Sequence, residues 1–213
     1  MQQLAQQSVP NGEIFIVDDD AAVRDALSLV FTLEGYHVTG FAEGNAFLMT
    51  ARTRTPLCII LDVNMPGRSG LDILKELNAQ HYDAPIFIIS GQGDIPMAVE
   101  AIKHGALDFI EKPFDADTVL TRVREAVAAW RQRSQDGSLK DVMALQFPGH
   151  DLLTPREREV LAQITGGASN KEAGRKLGIS PRTIEVHRAR IMEKLGARNA
   201  ADLVRIVLTE NRG

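Results

Sequence analysis

The 213-residue sequence contains a single cysteine, Cys58, so no disulfide can form within the chain. A lone thiol fits a reducing compartment, and its place in the apolar run LCIIL (57–61) reads as a buried structural cysteine, not a reactive one. No apolar run approaches the ~20 residues that a membrane-spanning helix requires. The opening stretch MQQLAQQSVPNG has neither a basic nor an apolar segment and so does not read as a secretory signal. Internal repeats and low-complexity tracts are also missing. The glycine-rich GQGD (91–94) lacks the lysine and the spacing of a nucleotide-binding P-loop. These absences predict a soluble, cytoplasmic protein with no membrane partner.

What is present is an ordinary globular mixture, 44% hydrophobic and 24% charged, with a net charge of −4 that is unevenly spread. Residues 1–150 carry 12 Lys/Arg against 20 Asp/Glu, a net −8, and residues 151–213 carry 12 against 8, a net +4. Opposite signs in two segments predict two domains with different partners, the basic one suited to nucleic acid.

In the first part, short apolar runs alternate with helical patterns: IFIV (14–17), HVTGF (37–41), LCIIL (57–61), IFII (86–89) and LDFI (107–110). Between them, Val23, Leu27, Val30 and Phe31 repeat at helical spacing. Five strands alternating with helices predict an α/β fold, a doubly wound parallel sheet covered on both faces. The amphipathic stretch 115–133 predicts a closing helix, and 134–150, with Gly, Ser and Pro and little periodicity, reads as a linker. Beyond Asp151 the pattern is helical. Thr154-Pro155-Arg156-Glu157 and Ser169-Asn170-Lys171-Glu172 read as capping boxes, Ser180-Pro181 opens a third helix, and Asn199 opens a fourth. The expected division is 12–130, a connector at 131–150, and an all-α four-helix domain at 151–213.

Ligands of doubly wound sheets bind outside the carboxyl ends of the strands. There the sequence places Asp18 and Asp19 after the first run, Asp62 after the third, Ser90 after the fourth and Lys112 after the fifth. Asp20 reads as the cap of the following helix, which leaves Asp18 and Asp19 in need of a cation, a ligand or open solvent. Phosphoryl transfer to a carboxylate would use such a set. Asp18 and Asp19 hold Mg²⁺ beside Asp62, Asp62 is the nucleophile, Lys112 neutralises phosphoryl oxygens, and Ser90 donates a hydroxyl hydrogen. Taken singly, each residue also has a bland reading: a strand end, a solvated lysine, a turn cap.

IFIVDDD (14–20), LDVNMPGRSG (61–70), ISGQGDIPMAVEA (89–101) and DFIEKPF (108–114) resemble the receiver domain of two-component response regulators over roughly residues 12–130. That resemblance implies a flavodoxin-like fold in which Asp62 is the phosphoacceptor. It implies that Mg²⁺ is ligated by Asp19, Asp62 and the backbone carbonyl of Asn64, and by Asp18 mostly through water. It further implies a cis Lys112–Pro113 bond and a switch role for Phe109 coupled to Ser90, although Phe109 also reads as an ordinary core aromatic. Asn64 and Gln92, two residues beyond Asp62 and Ser90, are expected to govern the lifetime of the acyl phosphate, the competing reading being surface amides with no kinetic effect.

In the second part, helices at about 170–177 and 181–195 joined by Leu177–Ser180 fit a helix-turn-helix. A helical wheel turns Ile184, His187, Arg188, Ile191 and Leu195 inward, and Arg182, Glu185, Val186, Ala189, Arg190 and Glu193 outward. Val186 suits a thymine methyl, and Lys171, Arg182, Arg188, Arg190 and Lys194 suit phosphates or base edges. A solvated basic face is the competing reading. Residues 153–205 resemble the LuxR-type DNA-binding domain, and the two domains together resemble the FixJ/NarL arrangement. The candidate DNA-binding set is thus Lys171, Arg182, Thr183, Glu185, Val186, Arg188, Ala189 and Arg190. Some members of that family carry a base-reading Lys or Arg where Glu185 and Ala189 stand here.

The resulting expectation is a regulator, not an enzyme. A sensor histidine kinase phosphorylates Asp62, which switches sequence-specific binding of double-stranded DNA. The resemblance implies a homodimer of the phosphorylated form, through the receiver's fourth-helix and fifth-strand surface, with RNA polymerase as a further candidate partner. The alternatives are an aspartyl-phosphate hydrolase and a C-terminal protein-docking bundle.

Overall fold

The structure is a computed structural model and describes residues 12–91, 95–135, 147 and 149–209. The chain divides between Val123 and Arg124 into two compact units.

The first unit is built on five parallel strands: β1 (Glu13–Val17), β2 (His37–Phe41), β3 (Cys58–Asp62), β4 (Ile86–Ser90) and β5 (Asp108–Glu111). Their spatial order is β2-β1-β3-β4-β5. The alternating helices are α1 (Ala21–Leu33), α2 (Gly44–Ala51), α3 (Gly70–Glu76), α4 (Ile95–Lys103) and α5 (Ala116–Gln135), the last of which runs across the division after Val123. β3 and β4 are buried along their whole length, as expected of central strands in a parallel sheet covered on both faces. Phe15, Phe41 and Phe47 pack edge to face, with ring centroids 5.2 to 6.2 Å apart. Cys58 is fully buried, and burial drives its thiol pKa upward, in keeping with a structural role.

Several boundaries differ from the sequence reading. Asp62 and Ser90 are the last residues of their strands and do not follow them. Helix α5 continues through Gln135, so the connector expected from 131 opens with five helical residues. Helical hydrogen bonding evidently extends past the point where apolar periodicity fades. Most of the connector, 136–146 and 148, lies outside the described residues.

In the second unit, a short 3-10 turn (His150–Leu152) precedes α6 (Pro155–Thr165), α7 (Asn170–Leu177), α8 (Pro181–Leu195) and α9 (Ala200–Thr209). Both expected capping boxes are present, Thr154 with Glu157 and Ser169 with Glu172. Ser180 caps α8 by accepting from the Thr183 amide. Gly174 allows the tight α7–α8 turn, since a Cβ there would lie 2.6 Å from the Ile179 carbonyl oxygen. The core is aliphatic, with Val160, Leu161, Ala173, Ile184, Ile191 and Leu203 at its centre. Among the described residues, no helix is long and apolar enough to cross a membrane.

Candidate functional site: an acidic rim and an exposed helix

Strand register brings the first site together. Val17 pairs with Leu61, and Asp62 with Ile89, so the ends of β1, β3 and β4 lie side by side where the strand order reverses. Asp18 is fully buried and Asp62 is 2% exposed, whereas Asp19 faces solvent. Carboxylate oxygens of these three residues lie within 4.8 Å of one another. Lys112 reaches across from the end of β5, with Nζ 3.0 Å from Asp18 Oδ2 and 2.9 Å from Asp62 Oδ1. Its backbone N–H donates to the Ser90 carbonyl at 2.7 Å, and the Lys112–Pro113 peptide is cis.

Local hydrogen bonds separate the roles of the three consecutive aspartates. Asp20 caps α1, its side chain accepting from the Ala22 amide at 2.8 Å. Asp18 Oδ1 accepts from the Asp20 amide at 2.9 Å, which leaves Oδ2 for Lys112. Arg24, which the sequence reading overlooked, donates from Nη1 to the carbonyls of Asp18 and Asp19 at 2.7 and 2.9 Å and fixes this turn. The only advance signal was an arginine in the first turn of the helix that follows the acidic run. Gly70 is required on the other side, because a Cβ there would fall 2.4 Å from the Asp62 carbonyl oxygen.

Burial pushes the Asp62 carboxyl pKa upward, and the hydrogen bond and charge of Lys112 offset this only in part. For Lys112, burial acts to lower the pKa, but the bonds to Asp62 and Asp18 and their charges outweigh it and hold the ammonium above its ordinary value. The ammonium gains two carboxylates while each carboxylate gains half an ammonium. The ion pair therefore secures the lysine charge and leaves Asp62 under-compensated. Three carboxylates against one ammonium leave a formal −2 at an all-oxygen cluster, a fit for a hard divalent cation. A cleft of about 670 Å³ opens beside Asp19, lined by Glu43, Asn45, Pro66 and Arg68.

The remaining predicted residues of this unit are placed less closely. Ser90 is buried at the end of β4. Phe109 is half-buried on β5, in register with Ile88. Asn64 is exposed, and its backbone N–H bonds the Asp62 carboxylate. Gln92 lies outside the described residues.

In the second unit, Lys171, Arg182, Glu185 and Ala189 are exposed, and Val186 and Arg188 are half-buried. Two residues of the expected DNA-binding set are turned to the interior. Thr183 is fully buried, with its hydroxyl 2.8 Å from that of Ser180 at the helix cap. Arg190 turns inward toward Glu157, its Nε 3.5 Å from Glu157 Oε1. For Arg190 the helical wheel failed because a long side chain can swing from an outward position to a buried charge. Glu157, read from sequence only as a capping residue, is fully buried and also accepts from Lys194 Nζ at 2.7 Å. His187 on the same helix as Arg190 and Lys194 is 2% exposed, and neither ring nitrogen finds a hydrogen-bond partner among the described residues. Burial first, then the charges of Arg156, Arg190 and Lys194, push its pKa down to about 3.

Comparison with known proteins agrees with both halves of this description. Residues 14–124 match the response regulator receiver domain family, and residues 151–207 match the luxR family of bacterial regulatory proteins. The transcriptional regulatory protein FixJ of Bradyrhizobium diazoefficiens is 40% identical over 197 residues, covering 92% of this chain and 95% of that protein. The response regulator protein TmoT of Ectopseudomonas mendocina is 40% identical over 207 residues, covering 96% and 92%. The crystal structure of full-length FixJ from B. japonicum superposes with a TM-score of 0.55 at 39% identity, covering 93% of this chain and 96% of that one. The chain therefore belongs to the response regulators that join a receiver domain to a luxR-family DNA-binding domain, a family of transcriptional regulators.

Proposed function

We propose that Asp62 is the phosphoacceptor of this response regulator, and that the convergence of Asp18, Asp19, Asp62 and Lys112 within hydrogen-bond or ligand distance carries the reading. An Asp62 carboxylate oxygen attacks the phosphorus of a phosphohistidine on a sensor kinase. The P–O bond to Asp62 forms as the P–N bond of the donor breaks, and the electron pair leaves with the imidazole. Lys112 stays charged throughout and turns from the free carboxylate to the phosphoryl oxygens, while Ser90 offers its hydroxyl hydrogen to one of them. Asp18, Asp19, Asp62 and the Asn64 carbonyl are the groups that would hold Mg²⁺, which supplies charge neutralisation on the phosphoryl oxygens. Asn64, exposed two residues past Asp62, is suited to controlling water access to the phosphorus.

We read residues 12–130 as the receiver, 131–150 as the connector and 151–213 as the DNA-binding domain of a cytoplasmic protein. Phosphorylation shifts the receiver between two packings that involve Ser90 and Phe109, and favours a homodimer that binds double-stranded DNA and is able to engage RNA polymerase. Lys171 on α7 and Arg182, Glu185, Val186, Arg188 and Ala189 on α8 remain the candidates for DNA contact. Incubating the full chain with a small phosphodonor and Mg²⁺, followed by intact-mass measurement, tests the central step. One added phosphoryl group is expected, and none in Asp62→Asn or after metal chelation. Labelling that persists in Asp62→Asn places the acceptor elsewhere.

A further inference from the structure

On α8, Arg182, Glu185 and Ala189 are exposed at helical spacing and share one face, with Val186 half-buried at its edge. Thr183 and Arg190 are committed to the interior, so the outward face near the helix start is narrower than the sequence suggests. Glu185 is the acidic member of that face, one turn into the helix. A carboxylate there is repelled by phosphates, so electrostatic attraction to DNA does not account for it. Capping does not account for it either, because Ser180 performs that role. A hydrogen bond reaches it from a different helix: Asn170, the first residue of α7, donates from Nδ2 to Glu185 Oε1 at 3.2 Å. That bond orients the carboxylate and occupies one of its two oxygens.

An ionised carboxylate only accepts hydrogen bonds. In the major groove, base edges offer donors at two places, the exocyclic amines of cytosine N4 and adenine N6. Adenine sets its N7 acceptor beside that amine, where it would face the second carboxylate oxygen. Cytosine presents the amine without a neighbouring acceptor. Residues near the start of the second helix of a helix-turn-helix are the ones that reach base edges.

We propose that Glu185, oriented by Asn170, is a specificity-determining residue that accepts a hydrogen bond from a base exocyclic amine in the major groove, with cytosine the favoured base. The assignment rests on α8 being the DNA-reading helix.

The test uses the full-length protein, phosphorylated with a small phosphodonor and Mg²⁺, and a pool of duplexes with a randomised central segment. Bound duplexes are sequenced for the parent, Glu185→Ala, Glu185→Gln and Asn170→Ala. The parent should enrich cytosine at one position of each half-site. Glu185→Ala should lose about tenfold of that preference at that position and keep the rest of the pattern. Glu185→Gln should move the same position toward adenine, since a carboxamide both donates to N7 and accepts from N6, and Asn170→Ala should weaken the preference partially. Loss of an adenine preference in Glu185→Ala would support the amine contact and reassign its base. An unchanged pattern in Glu185→Ala overturns the proposal, as does uniformly tighter binding to all duplexes, which would mark the carboxylate as a repulsive bystander. Failure of the parent to retain any duplex overturns the DNA-reading role of α8 itself, a result distinct from retention without a position-specific change.

Discussion

In the first unit, buried Asp18 and Asp62 share one ammonium, Lys112, with Asp19 alongside; in the second, buried Glu157 faces two cations, Arg190 and Lys194. Both arrangements take charge out of water, which is costly unless it is matched. The acidic rim is left short of positive charge and adjoins a cleft at exposed Asp19, a deficit compatible with a divalent cation. The Glu157 cluster is closed on itself. Its carboxylate joins α6 to α8 and accepts the Thr154 backbone N–H at 2.8 Å. Under-matched buried charge marks the chemical site, and matched buried charge marks the scaffold of the DNA-binding unit.

Removing the acid in each unit should therefore act with opposite sign on stability. Glu157→Ala leaves Arg190 and Lys194 without their buried partner and removes a cap, and should destabilise the second unit by about 3 kcal/mol. Faster hydrogen exchange of α6 and α8 amides, with the first unit unaffected, is the expected readout. Unchanged exchange would mean that the two cations find water at no cost.

The next effect is pH-dependent and confined to the second unit. His187 has a folded-state pKa of about 3 against an ordinary value of 6.5. Between those values the unfolded chain binds a proton that the folded unit refuses, so stability falls as pH falls, by up to about 1.4 kcal/mol per pH unit. The contribution is fully present above pH 6.5. Urea titrations across this range should show the slope in the parent and a shallower one in His187→Leu. Parallel slopes would assign the acid sensitivity to other groups.

Asp62→Asn should do the reverse of Glu157→Ala. It relieves the surplus negative charge of the metal-free rim and should raise the stability of the first unit by about 1 kcal/mol while abolishing phosphorylation. A lower urea midpoint for this variant would show that the rim is internally compensated after all.

The smallest contrast lies along α8. Arg182→Ala should weaken DNA binding and lower the salt slope by about one, as loss of a phosphate contact does. Arg188→Ala, half-buried, should also reduce affinity without affecting phosphorylation of Asp62. Arg190→Ala should leave the salt slope near that of the parent, because its guanidinium serves Glu157. Equal slopes for Arg182→Ala and Arg190→Ala would erase the distinction between the two.

The order of apolar runs, the acidic cluster at the first strand end and the position of Lys112 determined the parallel sheet and its chemical rim. The α/β alternation admits few topologies, and ligand groups collect at the carboxyl ends of the strands. Capping boxes at Thr154 and Ser169 likewise fixed where α6 and α7 begin, since caps act through neighbours three residues apart. Contacts between segments distant in the chain were decided only by the tertiary structure. Lys112 meets Asp18 across 94 positions, Glu157 meets Lys194 across 37, and Glu185 meets Asn170 across 15. Periodicity assigns a face to a Cβ, but where a long arginine, lysine or glutamate head comes to rest depends on which opposite charge lies within reach, and packing alone sets that distance.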